Sequence, residues 1–86
     1  MSKLNQLKEI LCRKVKINVM DNKPNPMSLD INLGEISREM GCSAASVKDL
    51  LKELQLKKEI KRLIPLEFNK DNYTLTVLEN SSIMNS

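Results

Sequence analysis

Histidine and tryptophan are absent from this chain, phenylalanine and tyrosine occur once each, and glycine and cysteine twice each. Each shortage closes off a class of chemistry. Without histidine the chain lacks the commonest general base and metal ligand at neutral pH, so the expectation is a non-enzyme with no cofactor and no metal. A single Phe and a single Tyr give no platform of rings on which single-stranded bases could stack. Cys12 and Cys42 fit no zinc or redox spacing and stand on apolar faces, so both read as reduced, buried thiols. No apolar run approaches the roughly eighteen residues of a membrane span, and the opening MSKLNQLKEILCRK lacks the pattern of a secretory signal. A cytoplasmic protein with no membrane partner is therefore expected.

What remains is an 86-residue chain, 41% apolar and 29% charged, whose core must be built from Leu, Ile, Val and Met. A chain this short folds as one small domain with little stability to spare. Leu4, Leu7, Leu11 and Val15 recur at helical spacing, so residues 2–20 read as an amphipathic helix with Lys8, Arg13, Lys14 and Lys16 toward solvent. Ile10 and Ile17 form a second apolar strip on its flank, either covering the molecule's own sheet or joining two copies as a homodimer. DNKPNP, residues 21–26, cannot continue the helix. Leu29 and Ile31 alternate with Ser28 and Asp30 as a short strand, and Asn32 then suits the cap of a helix beginning at Leu33.

Residues 33–54, LGEISREMGCSAASVKDLLKEL, carry the spacing of a helix-turn-helix. Gly41 supplies the left-handed backbone that ends the first helix. Ser43 can then accept from the free amides at the start of the second. Ile36, Met40 and Cys42 would face Val47, Leu50, Leu51 and Leu54 across the elbow. A helix capped and propped in this way is the usual device for entering a DNA major groove, which makes nucleic-acid binding the leading expectation. The apolar stripe breaks at Leu56, so a bend or end is expected over 56–59. Ile60, Ile64, Leu66 and Phe68 then share one face of a strand and Tyr73, Leu75 and Val77 one face of another, with NKDN, residues 69–72, as the hairpin loop. Pro65 implies an edge position or a bulge. The tail, 81–86, reads as frayed beyond a single domain of residues 1–80.

Helix, short strand, helix-turn-helix and terminal hairpin together resemble the winged-helix family of DNA-binding domains. The resemblance spans residues 2–79 and rests on the pattern, with matches at the buried Ile36, the small Ser37, the turn Gly41, the buried Val47 and the following Leu50. It implies an α+β, mostly helical fold: three helices, a short strand and a C-terminal β-hairpin wing. Two positions depart from the family's habit. Lys57, Lys58 and Glu59 stand where a glycine commonly ends the recognition helix, and the wing tip offers one cation, Lys70, balanced by Asp71.

Charge is unevenly spread. The net +3 conceals six basic against two acidic residues over 1–23 and six against three over 48–62, with acidic excess elsewhere. The second basic block coincides with the recognition helix and its exit. Ser43, Ala45, Ser46, Lys48, Asp49 and Lys52 point away from that helix's apolar stripe. Ser43, Ala45, Ser46, Lys48 and Lys52 are expected to contact double-stranded DNA, joined by Lys57, Lys58, Lys61, Arg62 and Lys70 on the backbone. Transcriptional regulation, or replication or partition of a mobile element, would follow, the latter from the small size and the Lys-, Asn- and Ile-rich composition. The alternative is an accessory subunit that docks on a larger replication or transcription protein, with Ile10, Ile17 and Leu63 at the interface.

Overall fold

Local capping chemistry sets every helix boundary. In the structure, a computed structural model describing residues 2–66 and 70–86, Ser2 accepts a hydrogen bond from the Asn5 amide and opens α1, Lys3–Met20. The helix ends with Asn22 at φ 56° and with the Lys23 amide donating back to the Asn18 carbonyl, so the last orphan carbonyls are satisfied. Leu7, Ile10, Leu11, Cys12 and Val15 are its buried stripe. Ile10 therefore belongs to the molecule's own core, only 5% exposed, and the expectation that it helps form a partner interface is corrected. Of the two thiols, Cys12 is buried as expected and Cys42 only half-buried, and both are free.

β1, Ser28–Asn32, alternates as expected, Leu29 and Ile31 inward and Ser28 and Asp30 outward. Asn32 closes the strand and caps α2, Leu33–Met40, by accepting from the Glu35 amide at 2.9 Å. Gly41 follows at φ 68°, and the Cys42 amide donates to the Ser37 carbonyl. A Cβ built on Gly41 would meet nothing within 4 Å, so the turn needs glycine for its backbone conformation and not for space. Ser37 is buried and donates to the Gly34 carbonyl at 2.8 Å, so its hydroxyl costs nothing in the elbow between α2 and α3.

α3, Ala44–Leu56, starts on Ser43, whose side chain accepts from the Ser46 amide. It ends at the expected place, but by an unexpected residue. Lys58 takes the left-handed conformation, φ 58°, while its amide donates to Gln55 and that of Glu59 to Leu54. Lysine thus occupies the backbone position that glycine would fill most easily.

The chain finishes as β2, Ile60–Pro65, and β3, Asn72–Val77, which with β1 form an antiparallel sheet in the order β1-β3-β2. Leu29 and Ile31 of β1, Tyr73, Leu75 and Val77 of β3 and Ile60 of β2 are buried beneath the helices. β2 departs from simple alternation. Lys61 faces Thr76 and Ile64 faces Thr74, so Arg62 and Leu63 together oppose one residue of β3, with Arg62 at φ 57°. This bulge turns Leu63 toward the core and leaves Ile64 and Leu66 52% and 41% exposed. The expected common face of Ile60, Ile64, Leu66 and Phe68 is therefore broken after Ile60. Phe68 and Asn69 lie outside the described residues. Pro65 lies on an edge strand just beyond the bulge.

The tail is not frayed. Ser82–Asn85 form a short 3-10 turn with Ile83 fully buried, correcting the sequence expectation for 81–86. The Glu59 carboxylate accepts from the Ser81 hydroxyl at 2.7 Å and the Ser82 amide at 2.9 Å, while Lys8 on α1 donates to the Ser82 hydroxyl at 3.0 Å. The architecture among the described residues is thus α+β: three α-helices over a three-stranded antiparallel sheet.

Candidate nucleic-acid interface

α3 sorts its residues by face. Val47, Leu51 and Leu54 are buried against the body of the protein, whereas Ala45, Ser46, Asp49 and Lys52 are exposed on the far side. Ser43 and Ser46 lie at the exposed N-terminal end, their hydroxyl oxygens 2.9 Å apart. Ser43 also performs the cap, so its oxygen already carries one structural duty.

Lys48 is half-buried, and its ammonium lies over the Tyr73 ring at 5.9 Å from the centroid. That distance is within cation–π range. Tyr73 is itself held in the central strand between Ile31 of β1 and Pro65 of β2. Lys48, Pro65, Leu66, Lys70 and Tyr73 line one open hollow of about 460 Å³. The fold therefore brings a cation of α3 and a cation of the hairpin to the same concavity.

The other sequence-chosen cations go elsewhere. Lys57 pairs with Glu53 at 3.5 Å, and Lys58 is exposed at the helix end. Lys61 and Arg62 line a second hollow with Pro24, Asn25, Thr76 and Glu79, at the root of the hairpin and beside the loop after α1. Of the ten residues expected at DNA only Lys48 and Lys70 line that hollow; Ser43, Ala45, Ser46 and Lys52 are exposed at the start and on the outer face of α3, Ser46 lining a separate hollow with Lys3, Cys42 and Asp49, and Lys57, Lys58, Lys61 and Arg62 lie elsewhere. On α1, Arg13 is ion-paired with Glu39 and Lys8 is engaged with the tail, which moderates the first basic block.

Of the residues expected at a partner interface, Ile17 is 50% exposed, and Val19 and Met20 beside it are exposed too. Leu63 is half-buried and packs against the protein's own core. The sequence alternation places Tyr73 only on one face of a strand with Leu75 and Val77. Nothing in the spacing of Lys48 and Tyr73, one on a helix and one on a strand, could have announced their contact.

Glu59 is displaced in its affinity for protons. Hydrogen bonding from Ser82, aided by Ser81 and the Lys8 charge, holds its carboxyl below the usual value despite an opposing effect of burial. It serves the tail and lies outside the α3 hollow. Among the described residues no group of three or more His, Cys, Asp or Glu side chains could hold a metal ion, and no helix is long and apolar enough to cross a membrane. No family model, no curated protein and no solved structure matches this chain.

Proposed function

We propose that this chain binds double-stranded DNA as a winged-helix domain, with α3 in the major groove and the β2–β3 hairpin against the adjoining backbone. The observation that carries the reading is the hollow shared by Lys48 and Lys70, which puts helix and hairpin cations on one side of the molecule, beside the exposed face of Ala45, Ser46, Asp49 and Lys52. The charge pattern and the α2–turn–α3 elbow support it. The face carries no arginine, asparagine or early glutamine for bidentate reading of a base edge, so binding is mainly electrostatic, with Lys48 and Lys52 on phosphates.

Two to three phosphate contacts by Lys48, Lys52 and Lys70 correspond to a slope of log K against log salt of about −1.8 to −2.7, or roughly a ten- to fortyfold loss of affinity between 50 and 200 mM salt. Fluorescence anisotropy with a labelled mixed-sequence duplex measures this directly. Lys52→Glu, at an exposed position, should weaken binding severalfold or more without altering the circular dichroism spectrum. Salt-independent binding, or full binding by Lys52→Glu, removes α3 from the interface and with it the proposal. A regulatory or replicative role on DNA rests on the same contact.

A further inference from the structure

From the contact between Lys48 and Tyr73 we infer that Tyr73 is a positioning residue, holding the Lys48 ammonium so that Lys48 and Lys70 converge on a single backbone phosphate of the duplex. The inference rests on the proposed DNA-binding reading and specifies how that site is built. A lysine on an exposed helix face ordinarily samples many rotamers, and immobilising it on a phosphate costs conformational entropy. Here the side chain of Lys48 is already half-buried, with its ammonium 5.9 Å from the ring centroid. The ring cannot easily swing away: Tyr73 is 7% exposed and lies in the central strand, with Ile31 and Pro65 on its two sides. An aromatic face attracts the ammonium without neutralising it, so all three of its N–H groups keep their charge for an anion. A carboxylate at the same place would have cancelled it. Lys70 enters the same hollow from the hairpin, and among the described residues the rest of the lining is the apolar Pro65 and Leu66. Two cations and an apolar floor suit a compact tetrahedral anion better than a planar base edge.

The sharing of one phosphate has a countable consequence. Each phosphate neutralised contributes about 0.9 to the salt slope. If Lys48 and Lys70 serve the same phosphate, the double variant Lys48→Met/Lys70→Met loses about 0.9 from the slope, little more than the larger of the two single losses. If they serve separate phosphates, it loses about 1.8. Tyr73→Leu should weaken duplex binding by about two- to fivefold, the range expected for an exposed to partly buried cation–π contact. Tyr73→Phe should restore it, and Tyr73→Leu should have no further effect in the Lys48→Met background.

The free protein supplies a check that does not depend on DNA or on the stability of the Leu variant. Ring current should move the Lys48 Cε protons upfield in the wild type and in Tyr73→Phe. Slope losses that add to about 1.8 overturn the shared phosphate. Unshifted Cε protons, or a loss from Tyr73→Leu that persists without Lys48, overturn the role of the ring. If the wild type binds no duplex at low salt, the DNA-binding reading itself falls and this inference falls with it. If it binds and Lys52→Glu weakens it while the Lys48→Met/Lys70→Met double variant keeps the full slope, only the inference falls.

Discussion

Gly41 and Lys58 both adopt left-handed backbone conformations at helix ends, at φ 68° and φ 58°, yet one is glycine and the other is not. Exchange at the two sites should therefore move stability in opposite directions. In Gly41→Ala the new methyl group meets no atom within 4 Å, so no clash enters and the cost is conformational alone. Holding a residue with a Cβ in that region costs about 1–2 kcal/mol, and the loss of glycine's freedom in the unfolded chain returns about 0.4–1 kcal/mol. The net is a destabilisation of about 1 kcal/mol, or a fall in Tm of roughly 4–8 °C for a domain of this size. Lys58→Gly reverses the balance. The hydrogen bonds from residues 58 and 59 to Gln55 and Leu54 involve only the backbone and are retained, while removing a cation near a helix C-terminus gives back a few tenths of a kcal/mol. A gain of about 0.5 kcal/mol is expected. Urea unfolding followed by circular dichroism reads both, provided the slope with denaturant stays constant across the series. A loss above about 3 kcal/mol in Gly41→Ala would reveal a steric demand that the open space at Gly41 denies, and a destabilised Lys58→Gly would refute the argument from φ.

Three further outcomes follow from the packing. Ile83→Ala removes a fully buried side chain from the tail and should cost about 2–5 kcal/mol in urea unfolding, whereas a frayed tail would show no change. Ile10→Asp should abolish the cooperative transition, while Ile17→Asp, at a half-exposed site, should leave it nearly intact; equal effects would contradict the burial of α1. Because the folded Glu59 carboxyl is held below its usual value of 4.5, its contribution is present above that pH and is lost as pH falls from there through the lowered value. Glu59→Gln should remove that part of the acid sensitivity, and an unchanged acid limb in its unfolding profile would refute the carboxylate's role at the tail.

The elements that sequence made legible are those set by neighbours along the chain. Asn32 and Ser43 cap the helices they precede, Gly41 breaks the elbow, and the alternation of Leu29, Ile31, Tyr73, Leu75 and Val77 matches the buried side of the sheet. What escaped depends on residues far apart in sequence. Glu59 reaches Ser81 and Ser82, Lys48 reaches Tyr73, and no periodicity encodes either contact. β2 misled for a different reason: a one-residue insertion leaves composition and apolar content unchanged while reversing which side each later residue takes. Ile10 is ambiguous in sequence because α1 packs against the tail, α2, α3 and β1 together and needs a wider apolar stripe than one packing surface would require.

The bulge at Arg62 and Leu63 also governs how this protein coexists with other copies of itself. β2 is an outer strand, and an outer strand with regular, flat backbone invites another chain to continue the sheet. Here the added residue twists the strand midway, Pro65 lacks an amide to donate, and Lys61 and Arg62 place charge along the approach. Deleting either bulge residue would make a neater strand, with Ile64 still opposite Thr74 on the exposed side. It would also leave a smoother border for intermolecular pairing, so the irregularity guards against aggregation in crowded solution.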